Sequence, residues 1–170
     1  MMASTKRIRY REGQWFAVPL QGGGYAAGIL VRGNLKTKGG LGYFFPYRHE
    51  QPPTMREIED LSPSQSILIE WFGDLGIIYG EWPLIPTDRP FNREDWPVPR
   101  FGRIDMFEQA WIVEYSQDDD GSRRPIAETR VPTTEITGMP EAGTSGHKAL
   151  EIRLSRLINA LEQSMDKGQE

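Results

Sequence analysis

The chain has no cysteine and only two histidines in its 170 residues. The first absence excludes disulfides, thiolate metal sites and a cysteine nucleophile, and it suits a reducing compartment. The second leaves His49 and His147 in unrelated contexts, YRHEQPP and GHKAL, with no HxH or HExxH spacing. Sequence-local zinc ligands are therefore missing, and a binuclear hydrolase centre rich in histidine cannot be built from two. A Ser-His-Asp site has no GxSxG turn to raise its odds. No run reaches the ~18 apolar residues of a membrane helix, and MMASTKRIRYREG lacks the apolar core of a signal peptide. Internal repeats and low-complexity tracts are also lacking. A soluble, cytoplasmic protein with no cofactor and no metal is the expectation.

Positive charge is sparse as well. There are 24 acids against 20 bases, a net charge of −4, and phosphate-backbone binding needs a dense basic stripe. The nearest candidates are the cations of KRIRYR (Lys6, Arg7, Arg9, Arg11) and the pair Arg123-Arg124. The first reads as the solvated lead-in to a strand rather than a phosphate-contacting patch. Nucleic acid and membrane are thus not expected partners, whereas a mild acidic excess tolerates a basic protein. Self-association is left open.

What is present organises itself into short extended runs. A chain this long buries roughly 70% of its unfolded surface and needs no staple, so residues 1–170 read as a single domain. Residues 1–10 and 165–170 are expected to be mobile, and 132–146, rich in Pro, Thr and Gly, to be a flexible crossing. QWFAVPL and YAAGILVR flank QGGG and predict a β-hairpin, the glycines forming a turn rather than a phosphate cradle because no helix start or GK[ST] follows. LGYFFPY predicts a third strand. Thr54 and Glu57 have capping-box spacing ahead of a short helix that stops near Ser62-Pro63. SILIEWF predicts a strand, GDLG a turn, and Ile77 to Ile85 a further extended segment broken at Pro83. QAWIVEYS and PIAETRV predict a second hairpin around DDDG, whose acids are expected to be solvated rather than to form a calcium loop. Leu150, Leu154, Leu157, Ile158, Leu161 and Met165 recur at helical period and predict a long helix started by Thr144 or Ser145, with Ile152 off the stripe. The fold class expected is α+β: a mostly antiparallel sheet, curled in one version into a small barrel, with one short and one long helix.

Candidate chemistry is confined to carboxylates. Asp74 and Glu81 bracket an apolar run in FGDLGIIYGEWPLI, and they form a general acid–base pair only if the fold lifts one pKa by burial. The alternative is structural: Asp74 shapes the turn, and Glu81 precedes an extended corner at Trp82-Pro83. Residues 86–103 hold four prolines and read as a surface excursion anchored at Phe91, Trp96 and Phe101. Tryptophan, arginine and acids in and beside this stretch make it the candidate partner surface: Glu81, Trp82, Asp88, Arg93, Glu94, Asp95 and Trp96. Trp71, in an apolar run, is expected in the core.

KRIRYREGQWFAVPLQGGGYAAGILVR, LGYFF, WFGDLGIIYGEWPLI and REDWPVPRFGR, in that order, resemble the immunity protein 26 family of small bacterial proteins associated with polymorphic toxin systems. The resemblance runs from Lys6 to Ile112 and weakens after Tyr115. It implies a protein that binds and neutralises a cognate toxin. Some family members also carry a phosphotriesterase label, so the resemblance offers an alternative, a small organophosphate hydrolase with carboxylates and His49 or His147 around a metal-bound hydroxide. It supplies no catalytic motif to place on this sequence.

Overall fold

The computed structural model describes residues 6–168, so the expected mobility of 1–5 and 169–170 lies outside the described residues. Strands β1 (Trp15–Pro19), β2 (Tyr25–Asn34), β3 (Gly39–Phe44), β4 (Leu68–Gly73), β5 (Leu84–Ile85) and β9 (Thr144–Ser145) form one sheet. Its order is β5-β1-β2-β3-β4-β9, antiparallel except for the β4–β9 pair. The order is open, with β5 and β9 as edges, so the barrel version of the expectation does not form. A second antiparallel sheet contains β6 (Phe101–Ile104), β7 (Ala110–Tyr115) and β8 (Pro125–Val131). Helices α1 (Met55–Ile58), α2 (Leu75–Ile78) and α3 (His147–Lys167) complete an α+β architecture.

Side chains alternate across a strand, and here both faces of the large sheet are covered. On β1, Trp15 and Ala17 enter one core with Tyr43, Trp71, Phe101 and Val113. Phe16 and Val18 enter the other with Phe44, Phe72, Trp82, Ile77 and the α3 residues Leu150, Leu154 and Ile158. That double burial is why WFAVP and YAAGILV read as continuous apolar runs rather than alternating ones. The molecule is thus layered: α2 and α3, then the large sheet, then the small sheet with α1 and the proline-rich loop.

Most predicted elements are found. Pro19 ends β1, where its missing N–H costs no ladder bond, and the Thr54–Glu57 capping box is formed at α1. QGGG is a turn whose three glycines have positive φ, and it is docked on α3: the Gln21 amide donates to Ser155 Oγ at 2.9 Å. Three readings are corrected. GDLG does not turn a hairpin; Leu75–Ile78 is a helical turn that ends at Gly80, φ 77°. It forms because the Trp82 ring lies directly on Gly76, where a Cβ would come within 2.9 Å of the indole. The long helix starts from Gly146, since Thr144 and Ser145 are spent pairing with Trp71 and Phe72. Its stripe is only half used: Leu150, Leu154 and Ile158 are buried, while Leu161 and Met165 are exposed beyond the sheet. In DDDG, Asp119 is buried, its Oδ1 accepting from the Gly121 amide at 2.7 Å and the Arg123 amide at 3.3 Å.

The 132–146 segment is also tied down along part of its length. The Gly102 amide donates to the Pro140 carbonyl and the Ala142 amide to that of Gly102, at 2.8 and 2.9 Å. This covers the free edge of β6 and carries the chain from the small sheet to the large one.

Candidate partner interface

The proline-rich stretch leaves β5 at Ile85 and returns as β6 at Phe101, and its conformation is set by tethers at nearly every step. Phe91 packs on Gly13, whose φ of 91° and lack of Cβ both permit the contact: a Cβ there would lie 2.5 Å from Phe91 Cβ. Arg89 donates to Glu59, Nη2 to Oε2 at 3.0 Å. Arg93 makes a bidentate pair with Glu12, both bonds 2.8 Å, and this pairing raises its pKa further above the ordinary arginine value. The Asn92 side chain accepts from the Glu94 amide and caps a 3₁₀ turn, Arg93–Asp95. Trp96 then drops into the core against Trp15, Tyr43 and Phe45, with centroids 5.3–6.2 Å apart. After it, Val98 exchanges two 2.8 Å hydrogen bonds with the Gln117 side chain.

What these tethers leave over is acidic. Asp88, Glu94 and Asp95 are exposed, and none forms an ion pair among the described residues. Between this loop and α1 lies a cleft of about 410 Å³, floored by Trp15, Ile29 and Trp96 and rimmed by Glu59, Arg89 and Asp95. The cleft is thus a concave surface with an aromatic floor, on whose rim Glu59 is paired with Arg89 and Asp95 has no ion pair among the described residues.

The seven residues proposed from sequence do not form one patch. Asp88, Arg93, Glu94, Asp95 and Trp96 belong to the loop. Glu81 and Trp82 sit across the large sheet, beside α3. Trp82 is fully buried and Trp96 is 8% exposed, so neither offers a partner the large contact area of an anchoring tryptophan; they are core residues on opposite faces of the sheet. Glu81 Oε2 is 2.9 Å from His147 Nε2 and 3.0 Å from Lys148 Nζ. Lys148 first and His147 second hold the Glu81 pKa below the ordinary glutamate value. Asp74, on the other side of α2, is buried and accepts from the Tyr10 hydroxyl at 2.6 Å. The two acids thus have separate structural partners. A general acid needs a raised pKa, and Glu81 moves the other way.

Several partners of this surface carried no local signal. Glu12 and Arg93 are 81 residues apart, and Glu59–Arg89 joins α1 to the loop. Each histidine has its own carboxylate: His49 Nδ1 lies 3.7 Å from Glu57, and His147 lies against Glu81. Among the described residues no three of His, Asp and Glu gather as a metal-ligand group, so the metal-hydroxide alternative has no assembled ligand set there.

The immunity protein 26 family model matches residues 11–112, from the segment leading into β1 to the middle of β7. The chain belongs to the immunity protein 26 family. No curated protein and no solved structure matches it. The family region contains Glu12, α1, Glu81 and the entire 86–100 loop, and it stops before β8, β9 and α3.

Proposed function

We propose that this protein neutralises a cognate bacterial toxin in the cytoplasm by binding it directly, without chemistry of its own. The observation that carries the reading is membership of the immunity protein 26 family across residues 11–112. The preorganised loop supports it, because a surface already fixed by Arg93–Glu12, Arg89–Glu59 and Trp96 loses little entropy when a partner docks. A standard interface takes about 800 Å² from each partner, under a tenth of the 10488 Å² this chain exposes. Asp88, Glu94 and Asp95 favour a toxin whose contact surface is basic, and they speed encounter more than they hold the complex.

The test is coexpression with the product of a toxin-like reading frame next to this gene. Co-purification in a fixed ratio, together with survival of cells that otherwise die from the toxin, supports the proposal. A toxin that neither co-purifies nor loses its lethality sinks it.

A further inference from the structure

A second hollow, of about 580 Å³, lies at the far end of the large sheet from the QGGG turn. Its walls are the N-terminal segment Lys6–Arg9, the β2–β3 turn with Leu35 and Lys38, and α2 with Leu75, Ile78 and Tyr79. Each wall is held in place. Ile8 donates its amide to the Ile78 carbonyl at 2.9 Å. Asn34 Oδ1 accepts from the Lys36 and Thr37 amides, and Thr37 Oγ1 donates to the Gly39 carbonyl at 2.7 Å. At the floor, Tyr10 donates to Asp74 and accepts from the Gly39 amide at 3.0 Å. Arg123 braces the turn from outside, its Nη2 3.2 Å from the carbonyls of both Thr37 and Lys38.

The rim of this hollow is basic. Lys6, Arg7, Arg9 and Lys38 border the hollow, and none has an ion-pair partner among the described residues. The one carboxylate in the lining, Asp74, is buried and engaged by Tyr10. Four cations without ion-pair partners among the described residues thus border one concavity that holds a single carboxylate, in a chain whose net charge is −4. Between them lie exposed apolar side chains: Leu75 is 49% exposed, Tyr79 51% and Leu35 36%. Charge of one sign around an apolar hollow selects a ligand with the opposite charge and apolar side chains of its own.

We propose that this hollow docks an acidic polypeptide segment bearing apolar side chains, its carboxylates meeting Lys6, Arg7, Arg9 and Lys38 and its apolar residues covering Leu35, Leu75 and Tyr79. A nucleic-acid duplex brings phosphates but nothing apolar to cover those three side chains, and it is too thick for a hollow of this volume. A flat anionic bilayer does not reach into a concave surface. The inference is separate from toxin neutralisation: the loop of residues 86–96 is acidic and takes a basic contact, whereas this hollow takes an acidic one.

Fluorescence anisotropy with a short labelled peptide alternating Asp or Glu with Leu or Phe tests it. Saturable binding that weakens with salt is expected. The K6E/R9E variant should bind about tenfold more weakly, from two exposed pairs lost and replaced by like-charge repulsion. L75S should weaken binding without changing the salt dependence, and both substitutions are at exposed positions that leave the thermal midpoint unchanged. Full-length polyglutamate of the same charge should bind less tightly than the mixed peptide. No binding of the mixed peptide, equal binding by K6E/R9E, or preferential K6E/R9E-sensitive binding of duplex DNA or phosphatidylserine vesicles overturns the proposal. Such a failure leaves toxin co-purification unaffected, so the two readings fall independently.

Discussion

Trp82 offers the sharpest check on this structure, because the same residue would behave differently as a core side chain and as an interface anchor. Its ring stacks on Phe16 at 5.5 Å with an interplanar angle of 19°, and lies 5.6 Å from Phe72 and 6.3 Å from Phe44. Its indole N–H donates to Glu151 Oε1 at 2.8 Å. Trp82→Ala empties a fully buried site between the large sheet, α2 and α3, and such truncations cost about 3–5 kcal/mol. Three ring neighbours and a lost hydrogen bond place this one near the upper end, a third or more of a typical total of roughly 5–15 kcal/mol. Trp82→Phe keeps most of the ring contact but gives up the bond to Glu151. A hydrogen bond to a charged group contributes about 1.5–3 kcal/mol; Glu151 keeps some solvent and has Lys148 at 3.6 Å, so the lower figure applies.

At about 2–4 °C per kcal/mol for a domain of this size, Trp82→Ala should lower the thermal midpoint by about 10–20 °C and Trp82→Phe by about 3–6 °C. Circular dichroism melts with parallel urea titrations measure both. Toxin capture by Trp82→Phe, assayed well below its midpoint, should equal wild type. A Trp82→Ala midpoint within a degree or two of wild type would refute the packing argument. Loss of capture by a fully folded Trp82→Phe would show that the indole faces a partner after all.

Three further outcomes test other parts of the structure. Glu70 is 3% exposed, and burial raises its pKa despite the opposing pull of Arg153; with its folded pKa above its unfolded one, the folded state holds more protons in that window, so this group's contribution to stability falls as pH rises through it. Glu70→Gln should therefore gain on wild type in urea midpoint as pH increases from acid to neutral, and a wild type that gains instead would mean the ion pair outweighs burial. Gly13→Ala meets both a φ of 91° and the Phe91 side chain, which should cost about 1–3 kcal/mol and raise amide exchange across residues 86–96; unchanged exchange would show that the loop does not depend on this contact. Replacing Asp88, Glu94 and Asp95 with Lys should slow association with a basic toxin about tenfold or more at low salt and flatten its ionic-strength dependence, as read by stopped flow; an unchanged rate would move the toxin contact elsewhere on the surface.

The elements that were legible from sequence are those specified by neighbours in the chain. The capping box at Thr54 and Glu57, the QGGG turn between two apolar runs, and the 3.6-residue period of α3 all act within one or two turns of backbone. The ordered stretches from Lys6 to Ile112 likewise placed the chain in its family without any coordinates. What the sequence could not decide was which face each residue would occupy. FGDLGIIYGEWPLI has the composition of a strand, but Trp82 closing on Gly76 makes its centre a helical turn, and that contact depends on Phe16 and Phe72 being in place. Trp82 and Trp96 look alike in a proline-rich stretch, yet the large sheet passes between them and buries each in a different core. Arg93 finds Glu12, and Glu81 finds His147 and Lys148, only because strand order brings distant segments together. Local chemistry determined the pieces; long-range pairing, with both faces of one sheet buried, decided which surfaces were left for a partner.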